Sequence, residues 1–159
     1  MPKNDKIITR EQVSRIVSQL KREGRKVAFT NGCFDLLHIG HLELLEHARK
    51  LGDILIVGLN SDDSVRRLKG PQRPINTQLD RARILAALEV VDYVVIFNED
   101  TPLELIQTIK PDFLIKGGDY SPDTIVGSAF VESYGGKVIV FPLVHGKSTS
   151  DLINTIFQL

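Results

Sequence analysis

Five short apolar segments alternate with amphipathic stretches along this chain of 159 residues, and this alternation constrains its fold most strongly. Each segment is a continuous run rich in β-branched or aromatic residues, which is typical of a strand covered on both faces in a parallel sheet. The segments lie at residues 26–30, 54–59, 93–97, 113–115 and 138–141. Strands that alternate with helices predict an α/β fold with right-handed crossovers.

Helical periodicity fills the stretches between these runs. Apolar residues recur at spacings of three from Leu42 to Leu51, which places one apolar stripe on a helix. Further helices are predicted at residues 9–23, 79–88, 102–109, 123–134 and 148–157. We expect a single domain over residues 1–159, with residues 1–24 as an N-terminal helical extension.

The composition limits the class of protein. Twenty basic and twenty acidic residues give a formal net charge of zero, so no basic stripe for nucleic acid and no polybasic membrane anchor is expected. The single cysteine, Cys33, excludes an internal disulfide, and no apolar run approaches the length of a membrane span. Since the N-terminus also lacks the apolar core of a signal peptide, we expect a cytoplasmic protein.

Polar clusters follow four of the five predicted strands. They lie at residues 31–41, 60–63, 116–120 and 145–150. The carboxyl ends of parallel strands meet at one edge of the sheet, where ligands bind in open α/β folds. The sequence therefore predicts one site built from four loops.

The first cluster is the most informative, because His38 and His41 share one face of a predicted helix start. Gly40 removes a side chain between them, and the free amides of a helix N-terminus attract phosphate. Two imidazoles there can donate hydrogen bonds to phosphoryl oxygens, and a bound polyphosphate should favour their protonated form. The alternative is that they are two polar residues at a helix start, one of them a cap.

The other polar residues allow two interpretations each. Ser148 and Thr149 can hold phosphate oxygens at a helix start, although serine and threonine are also common caps. Asp35 can bind a ligand or a hydrated metal, or orient its own turn. Cys33 fits a small packed residue better than a nucleophile, and zinc is excluded because four ligands are lacking.

The motifs taken together resemble the cytidylyltransferase-like nucleotidyltransferases, and more closely the adenylyltransferases that act on D-glycero-β-D-manno-heptose 1-phosphate to make ADP-heptose. The resemblance starts near Arg25 and covers nearly all of the remaining chain. Its specific stretches are residues 30–41, 58–65, 67–70, 80–82, 99–102, 111–112, 116–120 and 125–127. It implies a Rossmann-like three-layer αβα sandwich with a five-stranded parallel sheet in the order 3-2-1-4-5.

The resemblance also implies roles for individual residues. His38, His41 and Lys69 would be catalytic, with the two histidines on the reacting α-phosphate and the lysine closing over it. Nucleotide and phosphate binding would involve Gly32, Phe34, Gly40, Arg81, Ser148 and Thr149. Contacts with the substrate would come from Asp35, Lys116 and Asp119. The substrates would be ATP, accompanied by Mg²⁺, and a sugar 1-phosphate, while the metal ligands stay unknown.

Three positions depart from related patterns, and rival functions stay open. Leu143 stands where glycerol-phosphate cytidylyltransferases carry an arginine, and Lys147 and Ser150 stand where the heptose enzymes usually have a cysteine and a threonine. The rivals are transfer to another small phosphorylated acceptor, such as glycerol phosphate or FMN, and a non-catalytic nucleotide sensor. Many relatives are fused behind a sugar kinase, for which this chain has no room, so we expect the stand-alone transferase. Relatives commonly form dimers, which predicts a homo-oligomer of two or more copies.

Overall fold

The computed structural model describes residues 4–118, 120–142 and 148–159. Five parallel strands form one sheet in the order β3-β2-β1-β4-β5, so the predicted strand number, direction and order are confirmed. The strands are β1 (Val27–Gly32), β2 (Ile54–Asn60), β3 (Tyr93–Phe97), β4 (Phe113–Gly117) and β5 (Lys137–Phe141).

Seven helices accompany the sheet in the described part of the chain. They are α1 (Arg10–Arg22), α2 (Ile39–Leu51), α3 (Asp62–Lys69), α4 (Gln78–Ala87), α5 (Leu103–Ile109), α6 (Ser128–Ser133) and α7 (Thr149–Phe157), with 3₁₀ turns at Asn4–Lys6 and Pro122–Thr124. None of the helices in these residues is long and apolar enough to cross a membrane.

Two apolar cores cover the two faces of the sheet, which confirms the three-layer architecture. Alternate strand residues supply the cores, since successive side chains of a strand point to opposite faces. Phe29 is part of the core that the sheet forms with α1, α5 and α6 on one face. Its neighbour Ala28 is part of the core with α2 and α4 on the other face. These layers hold the carboxyl ends of the strands in line at one edge.

The N-terminal helix is part of the first core. Thr9 caps α1 and forms a capping box with Gln12, in which each side chain accepts the backbone N–H of the other residue. Val13, Val17 and Leu20 are buried in the same core as the sheet residues. This apolar face therefore docks onto the body of the protein.

The structure differs from the expected helices in two places. Residues 62–69 form α3, which was not predicted, because Val65 is the only fully buried apolar residue it offers as a periodic signal. The helix expected over residues 123–134 is divided into a 3₁₀ turn and α6, since Gly127 adopts a left-handed conformation with φ of 87° between them. The other predicted elements are present with small shifts at their ends.

Candidate active site

A cavity of about 520 Å³ lies beyond the carboxyl ends of the strands. Residues from all four predicted loops line it, so the expected convergence on one edge is confirmed for the described residues. Its polar lining includes His41, Lys69, Lys116, Ser148 and Thr149. A smaller cavity of about 170 Å³ shares His41, Ser148 and Thr149 with it and adds His38 and Gly40.

The two histidines form the N-terminal cap of α2. His38 is the N-cap residue, and its Nδ1 accepts the backbone N–H of Gly40 at 3.1 Å. His41 returns the contact, because its Nδ1 accepts the backbone N–H of His38 at 3.3 Å. The rings stack with centroids 3.9 Å apart. Capping and catalysis are therefore compatible in this pair, because capping uses only Nδ1.

These bonds assign the tautomer of both rings. An imidazole nitrogen that accepts an N–H carries no proton, so a neutral ring holds its proton on Nε2. Burial, followed by the charge of His38, lowers the pKa of His41 from 6.5 to about 4. Hence His41 in the unliganded protein is a neutral donor through Nε2, while the protonated form expected with a bound polyphosphate stays a prediction.

The turn before α2 is shaped around Phe34. Phe34 is buried and adopts a left-handed backbone conformation with φ of 46°, which is uncommon for a residue other than glycine. Its ring lies 5.2 Å from the ring of His41 and would be 3.1 Å from a Cβ at position 32. Gly32 thus lets Phe34 fold back behind the histidine, while both residues line the cavity.

The N-terminus of α7 lines both cavities. Ser148 is its N-cap and accepts the backbone N–H of Asp151 at 3.0 Å. The Thr149 hydroxyl donates to the carbonyl of Leu36, in the segment before the histidines, at 3.0 Å. The capping interpretation is therefore correct, and it does not exclude the phosphate-binding one, because two helix N-termini converge on this space.

Two lysines add positive charge to the cavity. Lys69 is the exposed last residue of α3, followed by Gly70 with φ of 104°. Lys116 lies at the carboxyl end of β4, where burial is the main cause that lowers its pKa. Burial raises the pKa of the Cys33 thiol despite four nearby cations. Cys33 is therefore a neutral thiol in the wall of the cavity and a poor nucleophile.

Asp35 binds a loop of its own chain. Its buried carboxylate accepts the Arg73 Nε–H at 2.8 Å and the backbone N–H groups of Ile75 and Asn76 at 2.8 and 2.9 Å. Burial would raise the pKa of Asp35, but the hydrogen bonds from Asn76, Ile75 and Arg73 outweigh it and hold the pKa below its usual value. This geometry favours the interpretation that Asp35 orients its turn.

Arg81 is buried beneath the site. Its guanidinium donates to the backbone carbonyls of Cys33 at 2.7 Å, Asn60 at 2.8 Å and Asn76 at 3.0 Å. It also donates to the Asp62 carboxylate at 2.8 Å. Arg81 is not among the described residues that line the large cavity, so its predicted contact with phosphate stays a prediction.

Some predicted positions lie outside the described residues, namely Asp119, Leu143 and Lys147. Within the described residues, no group of three or more histidine, cysteine, aspartate or glutamate side chains is arranged to hold a metal ion. The chain therefore offers no dedicated metal cage in its described part. Any Mg²⁺ there would depend on phosphate oxygens for most of its ligands.

The cavity also includes residues that the sequence interpretation did not assign to the site. They are Leu68, Arg73, Asp100, Thr101, Pro102 and Val126, whereas Asn31, Asn60, Tyr120 and Ser150 belong to the four predicted loops. Residues 99–102 follow the third strand. Because ligands bind beyond the carboxyl ends of parallel strands, the same argument that predicted the other loops also applies to Asp100 and Thr101. Leu68 and Val126 gave no signal from spacing, because isolated apolar residues in polar segments are ordinary, although both lie in stretches that carry the family resemblance.

Comparison with known proteins gives a consistent result. The family model described as cytidylyltransferase-like matches residues 29–152. Bifunctional protein HldE of Syntrophotalea carbinolica is 57% identical over 155 residues, which is 98% of this chain and 32% of that protein. The HldE protein of Gluconobacter oxydans is 54% identical over 153 residues, with shares of 96% and 32%. The chain thus spans about a third of the length of these relatives.

Solved structures support the same fold. A lipopolysaccharide core biosynthesis protein from Thermoplasma volcanium superposes with a TM-score of 0.62 at 27% identity, covering 76% of this chain and 98% of that one. Pantoate-β-alanine ligase from Francisella tularensis gives 0.63 at 18% identity, with coverage of 96% and 78%, and shows likeness of fold alone. Because the family model matches most of the chain, the protein belongs to the cytidylyltransferase-like family of nucleotidyltransferases.

Proposed function

We propose that the chain transfers AMP from ATP to D-glycero-β-D-manno-heptose 1-phosphate, releasing pyrophosphate and forming ADP-heptose for the lipopolysaccharide core. The observation that carries the proposal is the cavity itself, in which His41, two lysines and two helix N-termini converge. The heptose part is supported by the resemblance of residues 30–127 and by the match of nearly the whole chain to bifunctional HldE proteins. The name of the Thermoplasma volcanium protein points to the same biosynthesis.

The reaction proposed needs little proton transfer. An oxygen of the sugar phosphate attacks the α-phosphorus of ATP, and the bond from that phosphorus to the bridging oxygen of the β-phosphate breaks. The electron pair leaves with pyrophosphate. A phosphate is already a sufficient nucleophile near neutral pH, so catalysis consists of alignment and charge neutralisation. A site made of donors and cations fits this requirement.

Each predicted residue then has a physical task. His38 and His41 donate from Nε2 to the α-phosphate oxygens, where negative charge grows in the transition state. Lys69 and Lys116, which both line the cavity, neutralise phosphate charge. Ser148 and Thr149 present hydroxyl groups and the free amides of the α7 N-terminus to the polyphosphate.

The metal in this proposal enters with the nucleotide. Since the described residues form no metal cage of their own, Mg²⁺ would bind the phosphates of ATP and neutralise charge on the departing pyrophosphate. The lysines and the helix N-termini hold the same phosphates from the protein side. The ion would therefore bind to the protein as part of the nucleotide substrate.

The proposal extends to the setting of the reaction. Residues 1–159 would act as one catalytic domain, because α1 contributes to the same core as the sheet. The proposal also includes a cytoplasmic location, in line with the single cysteine of the sequence. Assembly into a homo-oligomer stays a prediction, to be measured by light scattering.

A substrate panel tests the proposal. The protein is incubated with ATP and Mg²⁺, and pyrophosphate release is followed with the β and α anomers of the heptose 1-phosphate, with glycerol phosphate and with FMN. CTP replaces ATP in a parallel set. We expect turnover with ATP and the β anomer. Faster turnover with CTP or another acceptor would assign a different transferase, and nucleotide binding without turnover would indicate a sensor.

A further inference from the structure

Arg81 has a property that phosphate binding does not explain. Its side chain is fully buried, and it donates to three backbone carbonyls that come from three separate segments of the chain. A buried guanidinium is stable only when its N–H groups are paired, and these carbonyls supply most of the partners. The side chain is thus committed to the protein rather than to the cavity.

The segments that Arg81 joins carry the catalytic groups. Cys33 belongs to the turn that leads from β1 to the histidines, and Asn60 is the last residue of β2. Asp62, the fourth partner, is the first residue of α3, and Lys69 is the last. The Asp62–Arg81 ion pair therefore ties the start of the lysine-bearing helix to the turn that precedes the histidines.

The Asp62–Arg81 ion pair matters for the position of Lys69 because the two residues Asp62 and Lys69 lie at opposite ends of α3. The helix has eight residues, so its two ends are separated by roughly 10 Å along the axis. A small tilt at Asp62 is therefore transmitted to Lys69. The other polar ties of α3 among the described residues include the Asp62 N–H, which donates to the Gln78 side chain, and Ser64, which accepts from Asn60 and donates to the carbonyl of Glu99. Arg67 pairs with Asp100. These ties reach α4, the end of β2 and the segment after β3 rather than the turn before the histidines.

We propose that Arg81 and Asp62 are positioning residues, which hold Lys69 at the distance from the histidines that nucleotidyl transfer requires, and that Arg81 does not contact the substrate. The inference rests on the proposed function, since it assigns Lys69 to the reacting phosphates. A misplacement of about 1 Å can lower a rate by about a hundredfold, so an indirect effect of this kind is measurable.

The test compares two neighbouring aspartates in the first turn of α3. Asp62→Ala removes the partner of Arg81, whereas Asp63→Ala removes an exposed carboxylate that pairs with Arg66. Both changes remove one negative charge from the same helix N-terminus, so their effects on the helix itself match. Asp62→Asn keeps an acceptor for the guanidinium and serves as the conservative variant.

We expect Asp62→Ala to lower kcat by about ten- to a hundredfold while KM for ATP changes by less than about threefold. Asp62→Asn should recover most of the loss, and Asp63→Ala should stay within about twofold of the parent. In a protein that already carries Lys69→Ala, adding Asp62→Ala should lower kcat little further, because both changes act through the Lys69 side chain. Equal kcat in Asp62→Ala and Asp63→Ala, or additive losses with Lys69→Ala, would overturn the proposal.

Arg81→Lys separates positioning from direct binding. Lysine keeps the charge but cannot reach three carbonyls at once, so kcat should fall while the affinity for a non-hydrolysable ATP analogue is nearly kept. A large loss of analogue affinity with kcat retained would make Arg81 a ligand. Hydrogen exchange of the α3 amides gives a readout that needs no turnover, and it should quicken in Asp62→Ala alone. If the parent turns over no acceptor, the proposed function fails, and the exchange data still decide whether the tie exists.

Discussion

The imidazole rings of His38 and His41 stack with their centroids 3.9 Å apart, and both use Nδ1 to accept a backbone N–H at the start of α2. The arrangement turns a helix cap into a pair of aligned donors. Each ring is oriented by the helix it caps, so the direction of its Nε2–H is set before any substrate binds. This relationship explains why two residues of the same type occupy the N-cap and third positions.

Replacing either histidine with asparagine separates capping from catalysis. Asparagine Oδ1 can accept the same backbone N–H, but no group remains where Nε2 was. We expect His41→Asn or His38→Asn to lower kcat by about a hundredfold or more, the scale for a lost transition-state donor, with little change in Tm. His47→Asn is the control, since His47 lies on the same helix against Phe141. Near parental turnover in both variants would remove the histidines from the mechanism.

Long-range ¹H–¹⁵N NMR of the side chains tests the tautomer and the pKa of His41. The ring should be neutral and protonated on Nε2 down to pH values near 4. Because an unfolded histidine takes up its proton near 6.5, the free energy of unfolding should fall as pH drops from about 6.5 to about 4. Titration of His41 near 6.5, or a proton on Nδ1, would contradict the cap geometry.

The buried charge of Lys116 predicts a trade-off between stability and activity. Burial lowers the pKa of this lysine, so its charged form costs free energy while no substrate is bound. We expect Lys116→Met to raise Tm at pH 7 by about 2–4 °C, equivalent to about 1 kcal/mol, and to weaken ATP binding at least about tenfold. Calorimetry and nucleotide titration measure both, with the exposed Lys50→Met as control. A lower Tm with ATP affinity kept would show that Lys116 is structural.

Asp35 should matter for stability more than for substrate contact. Asparagine cannot accept all the N–H groups that the carboxylate now binds, so we expect Asp35→Asn to lower the free energy of unfolding by about 3–5 kcal/mol in urea denaturation at pH 7. Its lowered pKa means that the stabilisation is lost as pH falls below about 4, so the difference should shrink in acid. Exposed Asp80→Asn is the control. If Asp35→Asn kept the parental stability but lost activity, Asp35 would instead be a direct ligand of the substrate.

The sequence predicts strands and the edge of the sheet because apolar runs report burial directly. Tyr93–Phe97 is identical in prediction and structure for this reason. Helix α3 was missed because eight mostly polar residues give no apolar stripe, although Ser61 caps it and basic residues end it. Short helices of this kind are stabilised by caps and tertiary ties rather than by periodicity.

The structural roles of Asp35 and Arg81 could not be predicted from the spacing of residues in the sequence. Asp35 binds residues about 40 positions away, and Arg81 reaches back 48 positions to the carbonyl of Cys33. A basic residue on a predicted helix is ordinarily solvated, so nothing in its neighbourhood indicates burial. The histidine pair was found because its signal is local, yet its protonation state depends on burial that only the fold supplies.

The most direct measurement follows each phosphorus atom of ATP through the reaction. The protein is incubated with Mg²⁺, the β anomer of the heptose 1-phosphate and ATP carrying a label on the α-phosphorus, and the products are separated. The proposed function predicts the label in a sugar nucleotide with the mass of ADP-heptose, and one pyrophosphate for each sugar consumed. Label in free AMP, phosphate transferred from the γ-position, or no reaction with any acceptor of the panel would contradict it.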